Sequence, residues 1–239
     1  MSIFKFKEFS IQQDKCAMKV GTDGVLLGTW TSTNHSPNSI LDIGTGTGLI
    51  ALMLAQRSNA EQIDAIEIDD DTYEQAVDNF ENSPWGDRLF CYHAGLDEFV
   101  EEMQDEEEYD LIISNPPFYS EDFTTGNEQR DKARFNTSMP FDELAEAAAL
   151  LLSRDGIFTV ILPYKEEENF ISIAAQFSLF VFKITRVKGT PETEIKRSLI
   201  AFKKQETEIV KIDELIIEIA RHQYTPEYIA LTKDFYLKM

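Results

Sequence analysis

The segment ILDIGTGTGLIALMLA, between Ile40 and Ala55, restricts the fold of this chain more than any other. Its first residues have the apolar character of a buried strand, and its last residues repeat apolar side chains at helical spacing. Gly44, Gly46 and Gly48 lie between these patterns, where they let the backbone turn sharply and approach a ligand. The helix that follows presents its amino end to that ligand. The segment therefore predicts a strand, a glycine turn and a helix that together bind a cofactor.

The spacing of the glycines argues against a dinucleotide cofactor. The dinucleotide fingerprint GxGxxG would place its third glycine at position 49, where this chain has Leu49. Asp42 precedes the turn, and Glu67 lies 21 residues after Gly46 at the end of the next predicted strand. A carboxylate there can accept hydrogen bonds from both hydroxyls of a ribose. We therefore expect a nucleoside-binding site that includes Asp42, Glu67 and the three glycines.

Apolar runs alternate with helical patterns along most of the chain, which predicts an α/β fold with helices on both faces of a mostly parallel sheet. The seven predicted strands are Ser39–Gly44, Gln62–Asp69, Arg88–Ala94, Asp110–Ser114, Gly156–Pro163, Leu179–Val187 and Lys196–Lys203. The helices predicted between them are Thr47–Ser58, Asp70–Ser83, Asp97–Gln104, Asp142–Ser153 and Glu166–Phe177. Further helices are predicted at Asp23–Thr31 and at Pro226–Phe235, the latter capped by Thr225. The last two strands are joined by KGTPETEIK, which is too short for a helical crossover, so they should form an antiparallel hairpin at one edge.

The length of the chain, its apolar runs and its cysteine and histidine residues restrict the class of protein. We expect one domain over residues 1–239, with an N-terminal cap segment 1–36, a catalytic core 37–205 and a C-terminal extension 206–239. The start MSIFKFKEFS does not have the pattern of a signal peptide, and no run approaches the ~18 apolar residues of a membrane span, which predicts a cytoplasmic protein. Cys16, Cys91 and the three histidines have no ligand spacing, so no metal site is predicted.

A possible acceptor site follows the fourth strand in YDLIISNPPFYS, which includes Asn115, Pro116, Pro117 and Phe118. Open α/β sheets carry their chemistry at this end of the strands. The two prolines stiffen the backbone, so the Asn115 amide oxygen and the Pro116 carbonyl are held as two acceptors. Together they can bind both hydrogens of an exocyclic amine and favour its pyramidal form, which exposes the nitrogen lone pair. Phe118 offers a flat face on which a base can stack.

The glycine turn and Glu67 resemble the cofactor motif of the Rossmann-like S-adenosylmethionine-dependent methyltransferases, whose class I fold has a seven-stranded sheet with a terminal hairpin. By that resemblance, the cofactor is S-adenosylmethionine, the three glycines face its methionine part and Glu67 holds its ribose. The resemblance also implies that Asp97, in AGLDEF, reads the adenine amino group, whereas the residues alone equally allow a helix N-cap there. The NPPF motif resembles that of methyltransferases acting on adenine N6, guanine N2 or glutamine amides.

Three further stretches narrow this resemblance: FKFKEFSIQQDKCAMKVGTDGVLLGTW, ARFNTSMPFDEL and YTPEYIALTKDFYLKM. With the motifs above, they are similar to the bacterial tRNA (valine-1) adenosine-37 N6-methyltransferase family over nearly the whole chain. The resemblance implies an enzyme that acts on the anticodon loop of a tRNA, and it places Thr22 and Asp23 near the methionine end of the cofactor. We expect a monomer, although the sequence does not determine the oligomeric state. From the residues alone, a capped helix packed on the sheet is an equal alternative for Thr22.

RNA binding by this chain requires a local basic patch, because the formal net charge is −21. The predicted hairpin supplies one, with Lys188, Lys196 and Arg197 as phosphate contacts. Protection of a sheet edge by lysines is an equal alternative. A second basic set follows the acceptor motif and includes Arg134.

Two alternative functions are open at this stage. The same site could methylate guanine N2 in ribosomal RNA or a glutamine amide in a protein. The chain could instead be a noncatalytic RNA-binding protein that retains the cofactor fold, although the intact NPPF motif argues against this.

Overall fold

The computed structural model describes residues 2–104, 108–117 and 139–238. Its α-helices are α1 Thr22–Trp30, α2 Leu49–Arg57, α3 Asp70–Glu81, α4 Leu96–Met103, α5 Phe141–Leu151, α6 Glu167–Gln176 and α7 Pro226–Thr232. Its strands are β1 Ile3–Lys5, β2 Ser10–Gln12, β3 Ser39–Ile43, β4 Gln62–Glu67, β5 Leu89–His93, β6 Tyr109–Ser114, β7 Leu152–Pro163, β8 Phe180–Lys188, β9 Ile195–Lys203, β10 Lys211–Ile216, β11 Glu218–Ala220 and β12 Gln223–Tyr224. A 3₁₀ turn, Tyr164–Glu166, joins β7 to α6.

The central sheet has the strand order β10-β8-β9-β7-β6-β3-β4-β5. Strands β3 to β7 pair in parallel, and β9 runs antiparallel to both β7 and β8. The predicted α/β fold with a mostly parallel sheet and an antiparallel hairpin is therefore confirmed. All seven predicted strands are present in this sheet, with ends that shift by a few residues.

The predicted position of the hairpin at the sheet edge is wrong. Strand β10 pairs in parallel with β8 from Lys211 to Ile216, so β10 forms that edge and the sheet has eight strands. The sequence of β10 reads KIDELI, in which charged residues interrupt the apolar pattern. Such a short, charged strand is typical of a protected sheet edge. Because its charged residues interrupt the apolar pattern, the sequence predicts this strand only weakly.

The helix predicted at Asp142–Ser153 ends two residues early, at Leu151. The next residue, Leu152, adopts an extended conformation and pairs with Tyr109 of β6. Pairing with a neighbouring strand therefore ends this helix. Helix propensity depends on local sequence and does not predict such pairing. At α7 the predicted cap is confirmed, because the Thr225 hydroxyl accepts a hydrogen bond from the Tyr228 N–H at 3.2 Å.

Two apolar cores cover the two faces of the sheet. The first core holds residues of α1, α2 and α7 together with Phe80 of α3. The second holds residues of α4, α5 and α6 and includes a group of aromatic rings from Phe158, Phe170 and Phe202. Within the described ranges, no helix combines the length and the apolar character needed to cross a membrane.

The strand order reverses beside β3, because β4 and β5 lie on one side of it and β6 and β7 on the other. At such a reversal the loops that leave the strand ends diverge and open a crevice. Gly44, Glu67 and Asn115 follow or end β3, β4 and β6, so the sheet brings the predicted functional residues to one place.

Phe202→Ala should lower the free energy of unfolding by about 3 to 5 kcal/mol, because the side chain is fully buried between two other rings. Urea denaturation followed by circular dichroism measures the change. Phe90→Ala is the control, since Phe90 is 45% exposed on edge strand β5, and it should cost less than about 1 kcal/mol. Equal losses in the two variants would contradict the assignment of Phe202 to the core.

Candidate functional site

The three glycines of the turn all have backbone conformations that other residues rarely adopt. Their φ angles are 70° at Gly44, 59° at Gly46 and 78° at Gly48. The turn is fastened to β4, because the backbone N–H groups of Gly44 and Thr45 both donate to the carbonyl of Ile66, at 3.1 and 3.0 Å. The turn is therefore held open toward the carboxyl ends of the strands.

Gly46 and Gly48 are needed for different reasons. A Cβ atom at Gly48 would lie 2.5 Å from the ring of Phe80, so this glycine lets α2 pack against α3. A Cβ atom at Gly46 would have no neighbour within 4 Å and would enter the open space beside the turn. Gly46 therefore leaves room for a ligand, as the sequence predicted for the turn.

Asp42 lies beneath the turn and is fully buried. Its Oδ2 accepts hydrogen bonds from the Thr45 hydroxyl at 2.6 Å and from the Ala51 N–H at 3.2 Å. Its other oxygen, Oδ1, is buried and has no hydrogen-bond partner among the described residues. Burial raises the pKa of this carboxyl from 3.8 to about 7, although the two hydrogen bonds oppose the shift. The structure thus places Asp42 as a brace for the turn and not among the residues that line the cavity described below.

Glu67 lies beside the turn at the end of β4. One carboxylate oxygen accepts a hydrogen bond from the Gly46 N–H at 2.9 Å, and the other accepts from the N–H groups of Ile68 and Asp69, each at 3.0 Å. The side chain is only partly buried, so the carboxylate fixes the turn and also faces the cavity.

Asp97 lies in the first turn of α4, where it is exposed and lines the cavity. The N-cap of α4 is Gly95, and no side chain caps the helix. The alternative interpretation of Asp97 as an N-cap is therefore wrong, because the helix begins one residue earlier than the sequence predicted. Thr22 is likewise not a cap, since α1 begins at Thr22 after Gly21. Thr22 is exposed and is absent from the described lining of the cavity.

A cavity of about 510 Å³ lies at this end of the sheet. This volume falls within the range of small-molecule sites. The described residues that line it are Lys15, Cys16, Ala17, Met18, Gly44, Gly46, Ile66, Glu67, Ile68, Asp69, Asp71, Thr72, Ala94, Gly95, Leu96, Asp97, Asn115, Pro117, Met139 and Glu143. Five of these residues are acidic and only Lys15 is basic, which disfavours a pyrophosphate and favours a ligand with positive charge or with hydroxyl and amine donors.

The acceptor residues reach the same cavity from β6. Ser114 is buried and donates a hydrogen bond to the carbonyl of Ile43 at 2.9 Å, which fixes the end of β6 against β3. Asn115 and Pro117 line the cavity, and Pro116 is buried between them. The structure therefore brings Asn115 and Pro117 of the predicted acceptor motif to the same cavity as Gly44, Gly46, Glu67 and Asp97, whereas Asp42, Gly48 and Thr22 are not among its described lining residues. Two other predicted residues, Phe118 and Arg134, lie outside the described residues.

The N-terminal segment Lys15–Met18 forms a wall of the cavity that the sequence did not predict residue by residue. Helix α3 holds it in place, because Asn79 exchanges hydrogen bonds with the backbone of Gln12 at 2.8 and 2.9 Å. The Lys15 N–H donates to the Gln75 side chain at 3.2 Å. These contacts join residues about 60 positions apart, so no local sequence pattern predicts them. Burial raises the pKa of the Cys16 thiol to about 11.

Ile68 is another lining residue that the sequence did not identify. It is 56% exposed although its side chain is large and apolar, and it directly follows Glu67. An exposed apolar residue after a functional carboxylate is a usable signal, because it breaks the pattern of the strand before it. We expect such a side chain to cover one face of a flat ligand group.

The basic residues of the hairpin are mostly engaged within the protein. Lys188 forms an ion pair with Glu214 of β10 at 3.0 Å, and Arg197 forms one with Asp23 of α1 at 2.8 Å. The predicted RNA contacts Lys188 and Arg197 are therefore not free cations. The alternative role of these lysines, protection of an exposed sheet edge, does not apply to β8, because β10 pairs with β8 and forms the edge instead. Lys196 is exposed and has no ion-pair partner among the described residues.

No group of three or more His, Cys, Asp or Glu side chains in the described ranges is arranged to hold a metal ion. His93 stacks on Tyr73 with ring centroids 5.0 Å apart, and His35 contacts the backbone carbonyl of Asp110 at 3.2 Å. Neither histidine is among the described lining residues of the cavity.

Comparison with known proteins identifies a family. Residues 19–162 match the family described as the methyltransferase small domain. The chain is 68% identical to a tRNA1(Val) (adenine(37)-N6)-methyltransferase of Flavobacterium johnsoniae, over 99% of this chain and 100% of that protein. It is 47% identical to the protein of the same name from Phocaeicola vulgatus, over 99% of this chain and 98% of that protein.

Solved structures share the fold at low sequence identity. A predicted O-methyltransferase of Agrobacterium tumefaciens superposes with a TM-score of 0.68 at 18% identity, over 89% of this chain and 96% of that chain. A ribosomal protein L11 methylase of Lactobacillus delbrueckii superposes with a TM-score of 0.53 at 16% identity, over 76% of this chain and 77% of that chain. These similarities show the fold alone.

The raised pKa of Asp42 predicts that pH changes the stability of the protein. The folded state holds a proton on Asp42 up to about pH 7, whereas the unfolded chain loses it near 3.8, so the contribution of Asp42 to stability is fully present below pH 3.8 and is lost as pH rises from there to about 7. Asp42→Asn has no proton to lose at this position. The free energy of unfolding of Asp42→Asn, minus that of the wild type, should therefore increase by roughly 1 kcal/mol per pH unit between about pH 5 and 7. Urea titrations at several pH values measure this difference, and a difference that does not change with pH would contradict it.

Proposed function

The chain belongs to the family of tRNA1(Val) (adenine(37)-N6)-methyltransferases, and from this premise we propose how its residues methylate the N6 amine of adenine 37 in a valine tRNA. The observation that carries the proposal is the shared cavity. Asn115 and Pro117 of the acceptor motif line the same space as Gly46, Glu67 and Asp97 of the predicted cofactor site.

The residues of the cavity fit S-adenosylmethionine. Gly46 leaves open space beside the turn, and the Glu67 carboxylate faces that space, as a partner of ribose hydroxyls must. Asp97 can accept a hydrogen bond from an adenine amino group, and the exposed Ile68 side chain can cover the face of the base. The five acidic lining residues also favour a ligand that carries positive charge.

When bound, S-adenosylmethionine supplies an electrophilic methyl group on a sulfonium centre. The protein prepares the amine that receives it. The Asn115 amide oxygen and the Pro116 carbonyl accept hydrogen bonds from the two amine hydrogens, which weakens delocalisation of the lone pair into the ring. Pro116 and Pro117 lack N–H groups and restrict the backbone, so the two acceptors are already in position before substrate arrives. The nitrogen becomes acidic as its new bond forms, and it needs no strong general base on the protein.

Two features of the chain support this assignment of roles. The end of β6 is fixed by the hydrogen bond from Ser114 to Ile43, so Asn115 has a rigid base. Neither His35 nor His93 lines the described part of the cavity, which agrees with a reaction that uses acceptors in place of a histidine base. The substrate base must leave the stack of the anticodon loop to reach the cavity.

A labelled-methyl assay tests the proposed function. The purified protein is incubated with labelled S-adenosylmethionine and with separated tRNA, ribosomal RNA and protein fractions from cells that lack the gene. Label should enter tRNA as N6-methyladenine. Label only in ribosomal RNA or only in protein would instead support guanine N2 or a glutamine amide as the acceptor. Binding of the cofactor without transfer to any fraction would support a noncatalytic protein.

Asn115→Ala should leave the affinity for S-adenosylmethionine nearly unchanged and lower the rate of methyl transfer by at least ~100-fold, the effect of losing one oriented polar group. Single-turnover kinetics and calorimetric titration measure the two quantities. Asn34→Ala is the matched control, because Asn34 is exposed in the loop before β3, at the opposite end of the sheet. Parallel losses of affinity and rate in Asn115→Ala would contradict the acceptor role.

Glu67→Gln should weaken binding of S-adenosylmethionine by roughly 10- to 100-fold, since hydrogen bonds to a charged group contribute ~1.5 to 3 kcal/mol. The amide oxygen can replace only one of the two carboxylate oxygens, and the amide nitrogen would face the N–H groups that the other oxygen accepts from, so the thermal midpoint should also fall. Glu61→Gln, at the exposed start of β4, is the control and should bind normally. Wild-type affinity in Glu67→Gln would exclude the carboxylate from cofactor binding.

A further inference from the structure

Tyr164 is an exposed aromatic residue next to the acceptor motif that has no role in the account above. It directly follows β7 and begins the short 3₁₀ turn, with 39% of its surface exposed. It is not among the described lining residues of the cofactor cavity. Its ring therefore presents partly exposed aromatic surface outside the cavity, which none of the roles assigned above uses.

The register of the sheet places Tyr164 just beyond the acceptor motif. Strand β7 is the direct neighbour of β6, and Ser114 is paired with Val160. Continuing that register puts Asn115 level with Ile161, so Tyr164 lies three residues further along its strand. At the rise of a β-strand, three residues correspond to roughly 10 Å, so Tyr164 lies at the same end of the sheet as Asn115 and outside the cavity.

The ring of Tyr164 is held in place by a fixed cation. The Arg186 guanidinium lies 5.4 Å from the centroid of the ring. Its Nη2 and Nε atoms donate to the Glu167 carboxylate at 2.7 and 3.2 Å. Glu167 is 3% exposed and also accepts a hydrogen bond from the Ser198 hydroxyl. Because Arg186 is neutralised by Glu167, its effect is to position the ring and not to add free charge to the surface.

Lys196 adds free charge beside this ring. Pro163 at the end of β7 is paired with Arg197 of β9, so the next residue of each strand, Tyr164 and Lys196, lies at the same level. Lys196 is exposed, while Arg197 is engaged by Asp23. An aromatic face beside a cation that has no ion-pair partner in the described part of the chain is an arrangement that proteins use to bind single-stranded nucleic acid.

We propose that Tyr164 is a stacking platform for a nucleotide that flanks the target adenine, and that Lys196 contacts the phosphate beside that nucleotide. The proposal rests on the proposed function, because it takes the substrate to be a single-stranded RNA loop. It places the RNA contact at the end of β7 and the start of β9. The two other predicted cations of the hairpin, Lys188 and Arg197, are engaged in ion pairs with Glu214 and Asp23, so they are less available for that contact than Lys196.

The test measures RNA binding directly, so it does not depend on methylation. An anticodon stem-loop carries the fluorescent base 2-aminopurine at the position before or after the target adenine. Wild-type protein with S-adenosylmethionine bound should quench the fluorescence at one of these positions. Tyr164→Ala should remove the quenching and weaken binding of the stem-loop by about 10- to 100-fold. Tyr164→Phe keeps the ring and should behave within about threefold of the wild type.

Lys196→Ala should weaken binding by a few fold and lower the salt slope by roughly 0.7 to 0.9. Lys211→Ala is the matched control, because Lys211 is exposed at the start of β10, at the opposite end of the sheet. It should leave affinity and salt slope unchanged. In all variants, calorimetric titration should give wild-type affinity for S-adenosylmethionine.

Wild-type quenching and affinity in Tyr164→Ala, or no quenching by the wild type at either position, would overturn the proposal. If Tyr164→Ala fails to fold by circular dichroism, Tyr164→Leu decides, because it retains an apolar side chain without an aromatic face and should also lose the quenching. The two proposals fail separately. Methylation of tRNA with normal binding by Tyr164→Ala rejects only the platform, whereas quenching without methylation of any tRNA rejects only the proposed function.

Discussion

The glycine turn between β3 and α2 is held by carboxylates from two neighbouring strands. Asp42, buried under the turn, fixes Thr45 and the start of α2, and Glu67 at the end of β4 fixes the Gly46 N–H. All three glycines have positive φ angles, which other residues rarely adopt. The turn therefore depends on glycine at these three positions. The cavity, the entry of α2 and the orientation of Glu67 all depend on this one arrangement.

The arrangement extends to parts of the chain that are distant in sequence. Asn79 of α3 donates a hydrogen bond to the Thr47 carbonyl in the turn and also holds Gln12 of the N-terminal segment. The turn, α3 and the wall formed by Lys15–Met18 are thereby one connected polar network around the cavity. Asp42 lowers the stability that this network provides, since in the described part of the chain its buried Oδ1 has no hydrogen-bond partner, and burial raises its pKa to about 7.

The distribution of charge is compatible with an acidic enzyme that acts on RNA. The charged residues of the cavity wall are mostly acidic, whereas most described cations of the hairpin form ion pairs with carboxylates or rest on aromatic rings. Little free positive charge then remains for contact with phosphates at this end of the sheet. Recognition of the loop should therefore depend more on stacking and on shape than on neutralisation of phosphates.

The sequence predicts the elements that local patterns encode, and it misses those that depend on contacts between distant residues. The glycine turn, Glu67 and the acceptor motif were predicted to meet because parallel strands end at one side of a sheet, and the structure brings them together. Strand β10 was missed because its charged edge pattern is weak, and its pairing with β8 joins residues 28 positions apart. The ion pair of Arg197 with Asp23 was missed for the same reason, since 174 positions separate the two residues. Asp42 was predicted at the cofactor site, but its burial was visible only once α2 was packed over it.

The central claim is that this cavity methylates the N6 amine of adenine 37 in a valine tRNA. Nucleoside mass spectrometry of that tRNA, purified from a strain that lacks the gene, tests it most directly. The account predicts that N6-methyladenosine is lost from this position and is restored by the wild-type gene but not by one encoding Asn115→Ala. Retention of the modified nucleoside in the deletion strain would contradict the claim.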